Sequence, residues 1–285
     1  MATTTDQGAV SDAGFGSLTT TQKVRLVLFS LAVLALAGLN VALTPPEVLG
    51  AAIVGWFDPF GVHQIHDMTI SPLLVFGLVV PALLLLYHPR ERVNTILAPV
   101  VAMVSVAVLA FVADSPLLTG FAVSSVLALA ALALHPAGRS LFRFDRAERV
   151  DRRVAGLYVV GAVPLLVYAG LELLKQLGPA DPAGHVLFVH FGAMAISGFL
   201  IVLMGGLAVF RKRDWRYPTW LAGLLAGFIG VLSIAYPTFA SSVGTLGGAL
   251  LFIWALAFVA GVEYTRRSAE RDRRETERQR PAGSA

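Results

Sequence analysis

The fold is decided by residues 185–210, which read HVLFVHFGAMAISGFLIVLMGGLAVF, and by residues 211–216 behind them, which read RKRDWR. The long stretch contains no Asp, Glu, Lys or Arg, whereas the short one carries a cluster of cationic side chains. An apolar run of about 20 residues is typical of a transmembrane helix, because each residue adds 1.5 Å and the hydrocarbon core is about 30 Å thick. A cationic loop directly behind such a run is typical of the cytoplasmic side.

Similar apolar segments occur along most of the chain. They lie at about 24–43, 70–87, 94–113, 117–134, 154–174, 185–210, 217–236 and 243–264. The segments are rich in Leu, Ala, Val and Gly and lack the alternation of strands, and a helix satisfies its own backbone groups in lipid. We therefore predict an all-α integral membrane protein, a bundle of eight transmembrane helices with short loops.

The composition supports a membrane protein. Hydrophobic residues make up 56% of the chain, charged residues 14%, and the mean hydropathy is +0.73. A soluble domain of this length cannot bury so much apolar surface. The pI near 9.7 does not indicate a nucleic-acid partner, because the arginines fall in short loops between apolar segments. The lack of cysteine excludes disulfides, thiolate metal sites and cysteine nucleophiles.

The cationic residues fall on one side when the segments are threaded in order. Every Lys and Arg except Lys175 precedes the first segment or follows an even-numbered one. Positive loops stay in the cytoplasm, so we expect a multi-pass protein of the cell membrane with both termini cytoplasmic. An alternative stays open, since Ala35-Leu36-Ala37 resembles a signal-peptidase site whose use would leave seven helices.

Three regions follow from this pattern. Residues 1–22 are polar and without an apolar period, which predicts a disordered tail. Residues 23–264 form the predicted transmembrane domain. Residues 265–285 form a charged cytoplasmic tail, and mixed charges at helical spacing predict that the last helix continues into it.

Titratable residues collect at the outer ends of the segments, while the segment centres contain no Asp, Glu, Lys or Arg. Polar groups in a membrane are costly, so these residues are the best functional candidates. His63, His66 and Asp67 would share one helical face and could bind one transition metal. The alternative is an interfacial segment beside an aromatic belt that includes Trp56 and Phe57.

His190 is a second candidate, because it lies deeper in an apolar segment than the other outer histidines. Met194 shares its helical face, and a His–Met pair suits copper or haem iron. His185 precedes His190 by five positions, roughly 140° around a helix, so we expect the two imidazoles not to bind the same ion. Hydrogen bonding of His190 to a neighbouring helix is the alternative.

Glu172 is the one acidic residue inside the fifth segment. It could meet the histidines of the sixth segment in a metal site or a proton-transfer pair. Alternatively it reaches the headgroups and pairs with Lys175. His88 and His135 each precede a proline at the end of a segment, where we interpret them as complements of the helix dipole rather than haem ligands.

These patterns predict an outward-facing His/acid site that binds copper or haem, for metal handling or electron transfer. The candidate ligands are His63, His66, Asp67, Glu172, His185, His190 and Met194. Two other functions stay open, namely a non-catalytic scaffold, subunit or sensor, and a small-solute transporter. The lipid bilayer is the expected environment, with a membrane-protein partner or a second copy of the chain as possible partners. The sequence does not decide whether the protein is an enzyme.

Overall fold

A computed structural model describes residues 18–57, 61–137, 150–211 and 213–279. Every regular element within these ranges is helical, which confirms an all-α fold for the described part of the chain. The helices are α1 (Thr20–Leu43), α2 (Pro46–Val54), α3 (Gly61–Tyr87), α4 (Leu97–Val112), α5 (Leu118–Leu134), α6 (Arg152–Gln176), α7 (His190–Phe210), α8 (Arg216–Ala235) and α9 (Gly244–Gln279).

Among the described helices, six are long and apolar enough to cross a bilayer, namely α1, α3, α6, α7, α8 and α9. The chain is therefore an all-α, multi-pass membrane protein. Helices α4 and α5 are apolar but have only 16 and 17 residues, about 25 Å of helix. They are shorter than the predicted segments because the apolar sequence at their ends forms turns. Eight spans, and the side on which the termini lie, stay predictions.

The ends of the chain differ in part from the predicted regions. Helix α1 begins at Thr20, inside the predicted tail, because Thr19 and Gln22 form a reciprocal capping box. Helix α9 continues to Gln279, as its charge pattern predicted. Residues 1–17 and several loop arginines in 138–149 lie outside the described residues, as do the side chains of the predicted charge pairs near the end of α9.

Helix α7 lies at the centre of the bundle, with two thirds of its apolar window buried, and it packs against α6 on one side and α8 on the other. Helices α8 and α9 cross closely at Gly230 and Gly248. A Cβ at Gly230 would come within 2.8 Å of the Gly248 carbonyl oxygen. Glycine allows this approach because it has no side chain.

Helix α3 is irregular in its middle. A π-helical turn over Val75–Val79 separates two α-helical parts. Pro81 follows this turn and has no N–H to donate, so a regular ladder is interrupted at this point. Wide turns of this kind occur often near functional sites. Here the turn lies between the part of α3 that contains His63 and His66 and the part that ends at Tyr87.

One end of the bundle collects the cationic loops. Arg25 donates hydrogen bonds to the last carbonyl groups of α5, and Arg266 does the same for α7. These carbonyl groups have no partner within their own helices, and a cation there also complements the helix dipole. The arginines therefore stabilise two helix ends.

Asp214 joins two loops at the same end. Its buried carboxylate accepts hydrogen bonds from the backbone N–H groups of Asn94 and Thr95 and from the Thr95 hydroxyl, and it pairs with Arg92. Burial raises the pKa of Asp214, and the Thr95 and Arg92 contacts partly oppose that rise. The loop before α4 is thereby fixed to the loop before α8.

Candidate metal centre

At the opposite end, imidazoles from two parts of the chain meet. His63 and His66 lie at the start of α3, His185 lies in the turn before α7, and His190 is the first residue of α7. Ring centroids in this group lie 4.7 to 5.8 Å apart. The site therefore combines two stretches that are more than 100 residues apart in the sequence.

The turn before α7 brings His185 and His190 together. Val189 adopts a left-handed conformation with φ of 62°, and the His190 N–H donates to the His185 carbonyl oxygen at 2.8 Å. The prediction that these two histidines lie too far apart around one helix is wrong, because the helix begins only at His190. A β-branched residue rarely adopts positive φ, and such strain is common at functional sites.

Three imidazoles form the part of the cluster that could hold a metal ion. One nitrogen each of His63, His185 and His190 lies within 4.8 Å of the other two. The Nδ1 atoms of His63 and His190 are only 2.9 Å apart. Nitrogen ligands around a tetrahedral ion lie about 3.3 Å apart, since metal–nitrogen bonds are about 2.0 Å long. Small side-chain shifts would therefore suffice to place the nitrogens around one ion.

Two carboxylates lie behind these imidazoles. Asp181 Oδ1 is 2.9 Å from His185 Nδ1, and Asp67 Oδ1 is 3.7 Å from His190 Nε2. A histidine ligand commonly donates its second N–H to a carboxylate, which fixes the ring and increases its basicity. Asp67 was predicted as a metal ligand, but its nearest partner in the site is His190.

Asp181 is held in place by hydrogen bonds. It accepts from the backbone N–H groups of Ala183 and Val186 as well as from His185. Burial alone would raise the pKa of Asp181, but the hydrogen bonds from Val186 and His185 outweigh burial and lower it below its ordinary value. A carboxylate that stays ionised keeps a proton on His185 Nδ1, whereas Nε2 lies 3.3 Å from the Val62 carbonyl oxygen and would have to leave that contact to bind a ligand.

Glu172 reaches the cluster indirectly. It is 2% exposed, and its Oε2 accepts a hydrogen bond of 2.6 Å from the Ser241 hydroxyl. The same hydroxyl oxygen lies 2.9 Å from His66 Nε2. Lys175 Nζ lies 2.6 Å from Glu172 Oε1, so the pairing that was considered as an alternative is present. Glu172 therefore contacts both Lys175 and, through Ser241, a histidine.

A cleft of about 760 Å³ opens beside the centre, and Glu172, Lys175 and Phe191 lie among its lining residues. The Phe191 ring packs against the rings of His66 and His185, at centroid distances of 5.5 and 5.0 Å. Lys175 Nζ lies 5.6 Å from the centroid of the same ring. A single aromatic ring thus separates the imidazoles from an open cleft.

The remaining candidates lie elsewhere. Met194 is fully buried in the apolar core, and its role as a ligand stays a prediction. His88 is partly exposed and lies beside Tyr87 and Glu91. His135 is buried against Phe29.

Two participants were missed as candidates from the sequence, namely Asp181 and Ser241. The spacing of Asp181 and His185 was a usable signal, whereas Ser241 lies in a loop that gave none.

In comparisons with known proteins, no family model, no curated protein and no solved structure matches the chain.

Proposed function

We propose that this protein holds a transition-metal ion at an outward-facing centre near one membrane surface, for metal handling or electron transfer. His63, His185 and His190 supply the nitrogen ligands, and Asp181 and Asp67 orient the rings of His185 and His190. The observation that carries the proposal is the convergence of three imidazole nitrogens within 4.8 Å of one another.

The chemistry of the site favours a metal ion over a purely structural cluster. Imidazole groups suit copper, zinc, iron and nickel, and copper(II) forms the most stable complexes among these ions. Few nitrogens of buried histidines that face one another can be protonated, so several of these nitrogens keep a lone pair. A metal cation can bind several of these lone pairs at once. Copper is therefore the ion that we expect to bind most tightly.

The spacing of the imidazoles argues against haem as the cofactor. Two axial ligands of one haem iron lie on opposite faces of the porphyrin, with their nitrogens about 4 Å apart, which is two metal–nitrogen bonds. The Nδ1 atoms of His63 and His190 are 2.9 Å apart, which leaves no space for a porphyrin between them. We therefore propose a single metal ion.

The orientation of the centre relative to the membrane is inferred from the positive charge at the opposite end of the bundle. Contacts of Arg25, Arg92 and Arg266 connect loops and helix ends far from the histidines. If the positive loops lie in the cytoplasm, as the sequence predicts, the centre faces the outside. We include eight spans and two cytoplasmic termini in this proposal.

Metal content tests the proposal directly. The protein is purified in mild detergent, loaded with a slight excess of copper or zinc, freed of unbound metal and analysed for bound metal and for a haem absorption band. We expect about one metal ion per chain, no haem band, and loss of the metal in His190→Ala. His88→Ala is the matched control, because His88 lies outside the cluster, and it should keep the metal. Absence of bound metal from the unmutated protein would rule out the proposed centre.

A further inference from the structure

His66 has a nitrogen atom that the contacts described so far leave unused. Its ring is 0% exposed, and its Nδ1 has no hydrogen-bond partner within the described part of the chain. A buried polar atom without a partner is destabilising, so such atoms are rare and call for an explanation such as a bound ion.

The hydrogen bonds on the other side of the ring determine where its proton lies. Lys175 can only donate, and it donates to Glu172 Oε1. The ionised carboxylate can only accept, so the single hydroxyl proton of Ser241 is directed at Glu172 Oε2. Ser241 must then accept from His66 Nε2. The proton of His66 therefore lies on Nε2, and Nδ1 presents a lone pair.

The position of His66 matches that of a ligand. Its ring centroid lies 4.7 Å from that of His185 and 5.4 Å from that of His190. Imidazoles held tetrahedrally by metal–nitrogen bonds of about 2.0 Å have ring centroids about 5 Å apart. The His66 ring thus lies at the spacing of a ligand ring from two of the proposed ligands. Its side chain would still have to shift toward the ion, because the nitrogens that lie within 4.8 Å of one another belong to His63, His185 and His190.

The backbone around Ser241 is strained in a way that supports this arrangement. Ser241 has a φ of 67°, and its carbonyl oxygen accepts a hydrogen bond of 3.0 Å from the Tyr168 hydroxyl. A non-glycine residue in this region is strained, and it persists where the surroundings enforce it. The strain holds the serine hydroxyl between Glu172 and His66.

We propose that His66 Nδ1 is the fourth nitrogen ligand of the centre, and that Glu172 is a positioning residue that fixes the His66 tautomer through Ser241. This inference rests on the proposed metal centre. Four nitrogen ligands fill every position of a tetrahedral site, as in sites that retain a metal ion or transfer electrons. A catalytic site instead keeps one coordination position open. The centre would therefore retain its ion or exchange electrons rather than bind a substrate at the metal.

The decisive variant is Glu172→Gln, which changes the chain of hydrogen bonds without changing its shape. Lys175 would hold the amide oxygen, because a lysine cannot accept, and the amide NH₂ would then face Ser241. Ser241 would accept from that NH₂ and donate to His66 Nε2. The proton of His66 would move to Nδ1, and the fourth ligand would be lost.

The nitrogen count is measured by EPR spectroscopy of the copper(II)-loaded protein. We expect four coordinated nitrogens in the unmutated protein and three in both His66→Ala and Glu172→Gln, with copper still bound. Glu47→Gln removes an exposed carboxylate outside the cluster, and it should keep four.

A second substitution distinguishes positioning from a general structural role. Adding Lys175→Met to Glu172→Gln frees the amide to turn its oxygen toward Ser241, so the fourth nitrogen should return. Three nitrogens in the copper-loaded, unmutated protein would overturn this inference while the proposed centre stands. A protein that binds no metal would overturn both.

Discussion

The two ends of the bundle both bury polar groups, but they leave opposite kinds of atoms without a partner. At the arginine end the donor Arg92 Nε has no hydrogen-bond partner among the described residues, and the buried His135 accepts from the Ala137 N–H through its Nδ1. At the histidine end His66 Nδ1 and Thr69 Oγ1 have no partner among the described residues, and the proposed tautomer of His66 makes its Nδ1 an acceptor. A lone pair attracts a cation and an N–H group repels one, so the histidine end is the better suited of the two to a metal.

The first expected effect concerns stability gained from the metal. A ligand that binds only the folded state, at a free concentration of about 100 times its Kd, stabilises that state by about 2.7 kcal/mol. We expect copper to raise the thermal unfolding temperature of the purified protein, and His190→Ala to remove this rise. His88→Ala should retain it. An equal rise in all three proteins would mean that copper binds outside the centre.

The stability of the arginine end should depend on its own side chains and not on a bound metal. Asp214→Ala leaves the buried N–H groups of Asn94 and Thr95 without their acceptor. Each buried group without a partner costs about 1 to 3 kcal/mol. We expect the free energy of unfolding to fall by about 2 to 5 kcal/mol while the metal content is unchanged. Loss of metal without loss of stability would contradict the separation of the two ends.

The carboxylates behind the imidazoles should tune metal affinity. Removing a carboxylate partner of a histidine ligand typically weakens metal binding about 10- to 100-fold. We expect a loss in this range for Asp181→Asn, whose contact with His185 is 2.9 Å. The loss should be smaller for Asp67→Asn, whose contact with His190 is 3.7 Å. Competition with a metal-binding dye measures both, and an unchanged affinity in Asp181→Asn would count against His185 as a ligand.

The last effect is a pH dependence at the arginine end. Burial, followed by the nearby Arg25, lowers the pKa of His135 to about 4. The unfolded chain therefore takes up this proton first, near pH 6.5, and the folded state loses stability as the pH falls from about 6.5 to about 4. The loss is about 3 kcal/mol, since lowering a pKa by one corresponds to about 1.4 kcal/mol. Unfolding temperatures recorded across this range should fall more steeply for the unmutated protein than for His135→Asn, and parallel curves would refute the assignment.

Most of the helices could be predicted because an apolar run of about 20 residues has few alternatives in a membrane. The failures lie at the ends of the runs. The predicted segment 94–113 begins three residues before α4, but its first two residues, Asn94 and Thr95, are polar and are bound to Asp214 in another loop. Contacts between distant loops are not visible in hydropathy.

Each histidine of the site could be predicted as a candidate ligand, but the proximity of their imidazoles could not. That proximity depends on the turn at Val189, a residue type that almost never adopts positive φ, so the sequence contains no turn signal there. The role of Ser241 could not be predicted for a related reason. It depends on Glu172 and His66, which contact the Ser241 hydroxyl from either side. Asp181 and His185 were four positions apart and could have been paired.

The wide turn in the middle of α3 has a consequence for the geometry of the whole centre. A π turn amounts to one inserted residue, and one residue rotates a helix by about 100°. Winding residues 75–79 as a regular α-helix without removing a residue would swing His63 and His66 by about that angle around the helix axis, relative to the part of α3 that ends at Tyr87. Deleting one residue within 75–79 would also restore a regular helix, but it would leave the two parts nearly in phase. The wide turn therefore absorbs the extra residue, so that the imidazoles lie toward α7 while the other part of α3 keeps its own packing.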